Sequence, residues 1–485
     1  MKLFVFLLDN KVWGSMDNLS MKKLRPRRAK VRKKQKPIIS NVLPIPRIFK
    51  SKNGERINSR PAKCLSKSEF VNRYTPHNLQ YIINSPKSPL NIKVIRKDLS
   101  VRSDNGVVYI PDNFSIIDNP GPSFKALRQI ISALLVEQTT RIYFDYGDCS
   151  AIDLGTQAIM DVIIMEYDQF VNKCLRIDRY AAMRVLPQGI GGRNIMKDEI
   201  RKIIFTIGSP AILGLKEAEF KDVIKNKMCS HCMLTANDKR RLIEQKEIDT
   251  TIMVDYVVDC LKKMNKKLTP KKLNDLSTVV GEILINAEEH STLRHRFSVG
   301  YFYEVNKDSK HYGMLNLVIL NFGATIYEKF KDNKSCPIEV VNKMKALSDS
   351  YTKRNFFHSK DFEEETLWTL YALQQGVTSV AGEKRGSGTI QFIRSFFNIK
   401  GDQSVDNVSR MTIRSGNTLI LFDGKYGITE KIDHEDKYNM MTFNDSGNIE
   451  DMPDKKYVKY TDTYFPGTII SANILLNDDD VKEIS

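Results

Sequence analysis

The sequence predicts an α/β multidomain protein: a basic arm, then a small α/β unit, then a larger α/β sandwich. Three observations carry this expectation. The 485 residues exceed what a single hydrophobic core ordinarily organises. From about residue 90 onward, apolar runs of strand length alternate with stretches of helical spacing. The charge is also uneven: residues 22–36 hold ten basic side chains and no acidic one, so the rest of the chain carries only +7 of the formal +17.

Composition narrows the class further. A hydrophobic fraction of 41% and a charged fraction of 27% belong to a globular protein rather than a disordered one. No stretch approaches the roughly 18–20 uninterrupted apolar residues of a membrane helix, so no membrane partner is expected. The apolar start, 3–8, ends at Asp9, has no small-residue cleavage site behind it, and precedes rather than follows the basic region. It reads as non-secretory, with Met16 and Met21 as alternative starts. Seven scattered cysteines fit free thiols in a reducing cytoplasm better than a disulfide framework. Cys229 and Cys232 have C-x-x-C spacing around His231, which is half of a zinc site. No second Cys/His pair at suitable spacing follows, only Cys260 further on, and structural thiols are the expectation.

Residues 1–85, rich in Pro, Ser, Asn and basic side chains, read as a largely disordered arm and linker. A block such as 22–36 repels itself and cannot bury a core; it either seeks a polyanion such as nucleic acid or is a solvated tail. Residues 86–210 form the small α/β unit. Within it, 92–95 and 107–110 are short apolar runs, 124–136 has helical spacing, and 141–146 is a strand of β-branched and aromatic residues. The run 154–171 is an amphipathic helix, and 202–207 reads as another buried strand. Residues 211–249 are charged and helical in character, a connector. Residues 250–485 are the larger unit.

In 142–156 an apolar strand ends in Asp145, and an Ile152-Asp153 pair precedes Gly155 and Thr156. The segment resembles the central strand–loop–helix of STAS domains, in which a Ser or Thr after the Ile-Asp pair is phosphorylated. This chain has Leu154 and Gly155 where that family has its serines, with Thr156 and Ser150 only nearby. Asp153 also has a simpler role, since Asp is a good helix N-cap.

The chemistry concentrates on 276–291. Val279, Ile283 and Ala287 form an apolar stripe widened by Val280 and Leu284. Glu282, Asn286 and His290, spaced i, i+4, i+8, form a second, polar stripe, with Glu289 beside Asn286. A carboxylate and a carboxamide one turn apart suit an oxygen-loving ion that keeps substrate phosphates and water. The same carboxylate is placed to activate water near a phosphoryl group.

Further signals follow in order. The run 314–326 is an apolar strand entering a glycine turn through Asn321, Gly323 and Thr325. Lys384, Arg385, Gly386, Ser387 and Gly388 form a basic Gly-Ser-Gly turn opening a helix, whose backbone N–H groups and dipole favour an anion. Residues 410–414 and 418–422 read as a strand pair across Ser-Gly, and 465–470 leads into an alternating strand through Gly467 and Thr468. Together these resemble the nucleotide-binding boxes of GHKL ATPases, which include gyrase and histidine kinases, and most closely the N-box of anti-sigma-factor kinases.

The resemblance implies a magnesium-dependent ATP site. Glu282 would be the general base and Asn286 the magnesium ligand, with Glu289 and His290 beside them. Asn321, Gly323, Thr325 and Thr468 would hold adenine, and 384–388 the phosphates. Residues 351–357 and 362–373 would supply the ATP lid. Asn321 replaces the family's Asp and Thr325 its second Gly; Asn keeps an acceptor oxygen but loses charge assistance, so weaker adenine binding is implied. No phosphoacceptor segment or membrane span precedes the N-box, which disfavours a sensor histidine kinase. Three functions remain: an ATPase switch acting on a protein partner, a serine/threonine kinase acting on a STAS-type acceptor, and a nucleotide-sensing scaffold without chemistry. A homodimer is open.

Overall fold

The computed structural model describes residues 48–50, 56–58, 75–137, 139–177, 187, 189–207, 220–232, 239–289, 291–307, 310–331, 336–352, 361–375, 377, 388–400, 409–433, 436–477 and 483–484. The basic stretch 22–36 lies outside them.

The first unit begins earlier than 86. Helix α1 (His77–Asn84) buries Leu79, Ile82 and Ile83 in the core, so these residues are not linker. Helix α2 (Ile92–Lys97) takes the run 92–95, because Asn91 accepts the Lys93 N–H at 2.9 Å and caps it. Strand β1 (Val107–Tyr109) leads to helix α3 (Pro120–Ile131), which opens on a proline and continues as a π-turn over Ser132–Val136. Strand β2 (Arg141–Asp145), helix α4 (Leu154–Ile177) and strand β3 (Gly189–Arg193) follow. β1 and β3 flank β2 in a parallel three-stranded sheet, so the helices serve as crossovers. Helix α5 (Asp198–Ile207) overturns the reading of 202–207 as a strand. Asp198 and Glu199 favour a helix start, and Ile200, Ile203, Ile204 and Ile207 are buried at helical spacing.

The second unit is built on a five-stranded sheet. Its first strand, β4 (Val223–Cys232), lies inside the stretch expected as a helical connector. Helices α6 (Lys239–Lys263) and α7 (Pro270–Glu289) come next, then the long hairpin of β5 (His295–Lys307) and β6 (Lys310–Phe322). Helices α8 (Ile326–Lys331), α9 (Ile338–Thr352), α10 (Glu364–Ala372) and α11 (Gly388–Lys400) precede β7 (Arg410–Phe422) and β8 (Val458–Asn477). The strand order is β7–β8–β6–β5–β4, every neighbouring pair antiparallel. β7 is one strand with an irregularity at Gly416; both halves of the expected pair hydrogen-bond to β8 instead of to each other. Helix α10 buries Leu367, Trp368 and Leu370 in the core, so this part of the expected lid is a packed helix; 353–360 lie outside the described residues.

Strand alternation gives the sheet two apolar faces. Leu315, Leu317 and Ile319 of β6 meet the helical layer of α6, α7, α10 and α11. Val318, Leu320 and Phe322 join the core of the first unit, which lies on the opposite face. Arg414 anchors that contact: fully buried, it donates to the Ile116 carbonyl and lies 5.3 Å over the Phe124 ring. Arg410 reaches Asp118 nearby. No helix among the described residues is long and apolar enough to cross a membrane.

Candidate functional site

Helix α7 starts where Thr269 accepts the Lys272 N–H at 3.3 Å and Pro270 fills the first position. Its stripe of Val279, Val280, Ile283, Leu284 and Ala287 is buried against the sheet. Glu282 and Asn286 flank that stripe and remain half-buried. Glu289 closes the helix; its side chain and His290 lie outside the described residues.

The last turn of α7 is tied down from below. Glu288, fully buried, receives His231 Nδ1 at 2.5 Å, and Arg296 Nε lies 3.4 Å from the same carboxylate oxygen. Arg296 also donates to Asp249 of α6 at 2.7 Å. Buried charges persist only when paired this way, and the cluster fixes α6, α7, β4 and β5 to one another.

Above it, β6 delivers Asn321 next to the same turn. Asn321 Nδ2 donates to the Ala287 carbonyl at 2.6 Å. A carbonyl only accepts, so the amide nitrogen must face it and Oδ1 must point elsewhere. Oδ1 is buried and has no hydrogen-bond partner among the described residues. Thr468 of β8 is paired directly across from Asn321. Its Oγ1 lies 2.9 Å from Ser415 Oγ of β7, and Ser415 accepts the Ile326 N–H at 2.9 Å. The strands thus bring Asn321 and Thr468 together and add Ser415, which carried no motif signal.

Two glycines let the backbones meet there. Gly323 has φ +136°, and a Cβ on it would lie 2.8 Å from the Thr292 nitrogen. Gly467 has φ +153°, and a Cβ would sit 2.0 Å from the Asn321 carbonyl oxygen. Thr325, beside this group, is engaged by α8. It is buried, its N–H donates to Glu328 at 3.1 Å and its hydroxyl accepts the Glu328 N–H at 3.2 Å, so both groups cap α8. Glu328 also pairs with Lys87 of the first unit at 2.7 Å.

Of the expected phosphate turn, Lys384, Arg385, Gly386 and Ser387 lie outside the described residues. Gly388 opens α11, which runs beside α7.

In the first unit Asp145 ends β2 and accepts from Gly147 N–H, Asn194 Nδ2 and Arg193 Nε, the last at 2.6 Å. Asp153 caps α4, accepting the Gly155 N–H at 2.9 Å and the Thr156 N–H at 3.2 Å. Thr156 is fully buried; its hydroxyl donates to Asp153 at 2.5 Å and accepts the Ile116 N–H at 2.7 Å. Ser150 is exposed, its hydroxyl donating to the Asp112 carbonyl at 3.1 Å.

Cys229 and Cys232 do not form a local pair. Three positions apart on a strand, they face opposite sides of the sheet, and His231 turns toward Glu288. Compared with protein-family models, with curated proteins and with solved structures, the chain matches none.

Proposed function

We propose that the second unit is a GHKL-type ATP-binding domain, and that magnesium-dependent ATP binding with slow hydrolysis drives a conformational switch on a protein partner. The observation that carries this reading is the Asn321 amide. Its nitrogen is held by Ala287 at the end of the helix bearing Glu282 and Asn286, while its buried oxygen lacks a donor. An exocyclic amine such as adenine's supplies that donor, and an unmet buried acceptor costs about 1–3 kcal/mol. Thr468, held by Ser415, stands opposite as a second polar contact. Gly323 and Gly467 remove the Cβ atoms that would crowd this corner.

In this reading Asn286 holds magnesium, whose charge offsets that of the phosphates, and Glu282 accepts a proton from water. Residues 384–388 seat the phosphates through backbone N–H groups and the start of α11. The first unit is read as STAS-like. The full burial of Thr156 weighs against a kinase acting on that hydroxyl in the folded chain.

Calorimetric titration with ATP and magnesium, paired with a phosphate-release assay, tests the proposal. Asn321→Ala is expected to weaken ATP binding by about 1–3 kcal/mol, roughly 5- to 150-fold in Kd. Glu282→Ala is expected to keep binding and lose phosphate release. A wild-type chain that binds no ATP refutes the site. Binding without hydrolysis reduces it to a nucleotide sensor, and radiolabel on protein redirects it to phosphotransfer.

A further inference from the structure

We infer that His77, Cys232 and His295 form a binding site for a transition-metal ion, with Zn2+ the best-suited occupant, at the seam between the two units. The inference is independent of the nucleotide reading. It rests on three elements meeting: the start of α1, the end of edge strand β4, and the start of β5.

The antiparallel register puts Cys232 directly opposite His295, on the face that meets the first unit. Helix α1 brings His77 onto the same spot. His77 Nε2 lies 3.0 Å from His295 Nδ1, and Cys232 Sγ lies 3.9 Å from His77 Nε2. The three ligating atoms all fall within 4.8 Å of one another. A tetrahedral zinc with bonds of about 2.0–2.1 Å to nitrogen and about 2.3 Å to sulfur separates its ligand atoms by roughly 3.3–3.8 Å. The His77–His295 and His77–Cys232 spacings lie a few tenths of an ångström either side of that range, and the third ligand pair closes to it by side-chain rotation from within 4.8 Å.

The surroundings prepare the rings for ligation. Ser230 Oγ lies 2.6 Å from His295 Nε2; by accepting an Nε2–H it would fix the tautomer that leaves the Nδ1 lone pair facing the cluster. Asn78 Nδ2, 2.7 Å from Nδ1, points a donor at that lone pair. His77 Nε2 lies 3.0 Å from the same atom, so Asn78 and His77 both crowd the one nitrogen. A cation bound by both nitrogens and the Cys232 thiolate takes up that lone pair: Cys232 gives its proton to solvent, His77 carries its single proton on Nδ1, and the Asn78 amide turns to its other acceptor, Glu166. Behind the cluster, buried Glu166 accepts from Asn78 Nδ2 at 2.5 Å and from the Leu79 N–H at 2.7 Å. It fixes the start of α1. Two imidazoles and one thiolate suit zinc and leave a fourth position for water.

The test uses the full chain, stripped of metal by a chelator and titrated with Co2+, then with Zn2+. One Co2+ per chain is expected, with a near-ultraviolet thiolate-to-cobalt charge-transfer band that Zn2+ abolishes. Cys232→Ser is expected to remove the band, and Cys229→Ser, on the other face of β4, to leave it intact. Ser230→Ala keeps all three ligands and is expected to weaken binding by about 10- to 100-fold, the usual effect of losing an orienting hydrogen bond. That milder variant keeps the proposal testable if Cys232→Ser fails to fold, with circular dichroism reporting the fold of each. No band at one equivalent of Co2+, or a band that survives in folded Cys232→Ser, overturns the site.

Discussion

Asp145 shows how one side chain fixes a strand end. Burial opposes its charge, but the Gly147 N–H, the Asn194 amide and the Arg193 guanidinium together outweigh that and hold its carboxyl below the usual range. The native state therefore releases the proton more readily than the unfolded chain, whose Asp titrates near pH ~3.9. The stability Asp145 contributes is present above that pH and is lost as pH falls through the lower folded value. Asp145→Asn is expected to cost about 1–3 kcal/mol at pH 7, and clearly less at pH 3. Urea unfolding at both pH values checks this; an equal deficit at each contradicts the assignment. Asn321 poses the complementary case, a neutral amide held on one side only.

Gly467 governs how two strands of the candidate site cross. With φ +153° and the Asn321 carbonyl 2.0 Å from any added Cβ, Gly467→Ala must displace backbone rather than a flexible side chain. We expect a loss of about 1–3 kcal/mol in stability. We also expect weaker ATP binding, since Asn321 and Thr468 shift with their strands. Chemical denaturation and calorimetry read both, and unchanged values refute the coupling. At this scale the sequence was legible where periodicity was long, as in α4 and in the buried stripe of α7. It misled where β-branched residues crowd a helix: 202–207 alone is a short apolar run of strand length, and the acidic helix start at Asp198 lies outside it. It also misled at the Ser-Gly of β7, since a turn dipeptide and a strand irregularity share the same residues. The order of Glu282, Asn321 and Thr468 along the chain was legible because each lies in its own local pattern. Ser415 was not, and neither was the histidine–cysteine cluster, in which His77 and Cys232 stand 155 residues apart. Only tertiary contact creates such groupings.

At the scale of the molecule, the central sheet is covered on both faces. Phe297, Val299, Val318, Leu320 and Phe322 lie in one core with the helices of the first unit. Removing that unit uncovers a contiguous apolar surface of the kind that drives association. A fragment starting at residue 220 is expected to elute as aggregates in size-exclusion chromatography, whereas the full chain does not; a monomeric, folded fragment contradicts this.

The cap at the start of α4 turns accessibility into a population. The Thr156 hydroxyl, engaged by Asp153 and by Ile116 on a fully buried side chain, meets solvent only in chains whose helix start has opened. If that opening costs about 4 kcal/mol, roughly one chain in a thousand presents the group at any moment. Any chemistry at Thr156 then runs at that small fraction of its rate on an open helix start, so a change that loosens the cap speeds it in proportion.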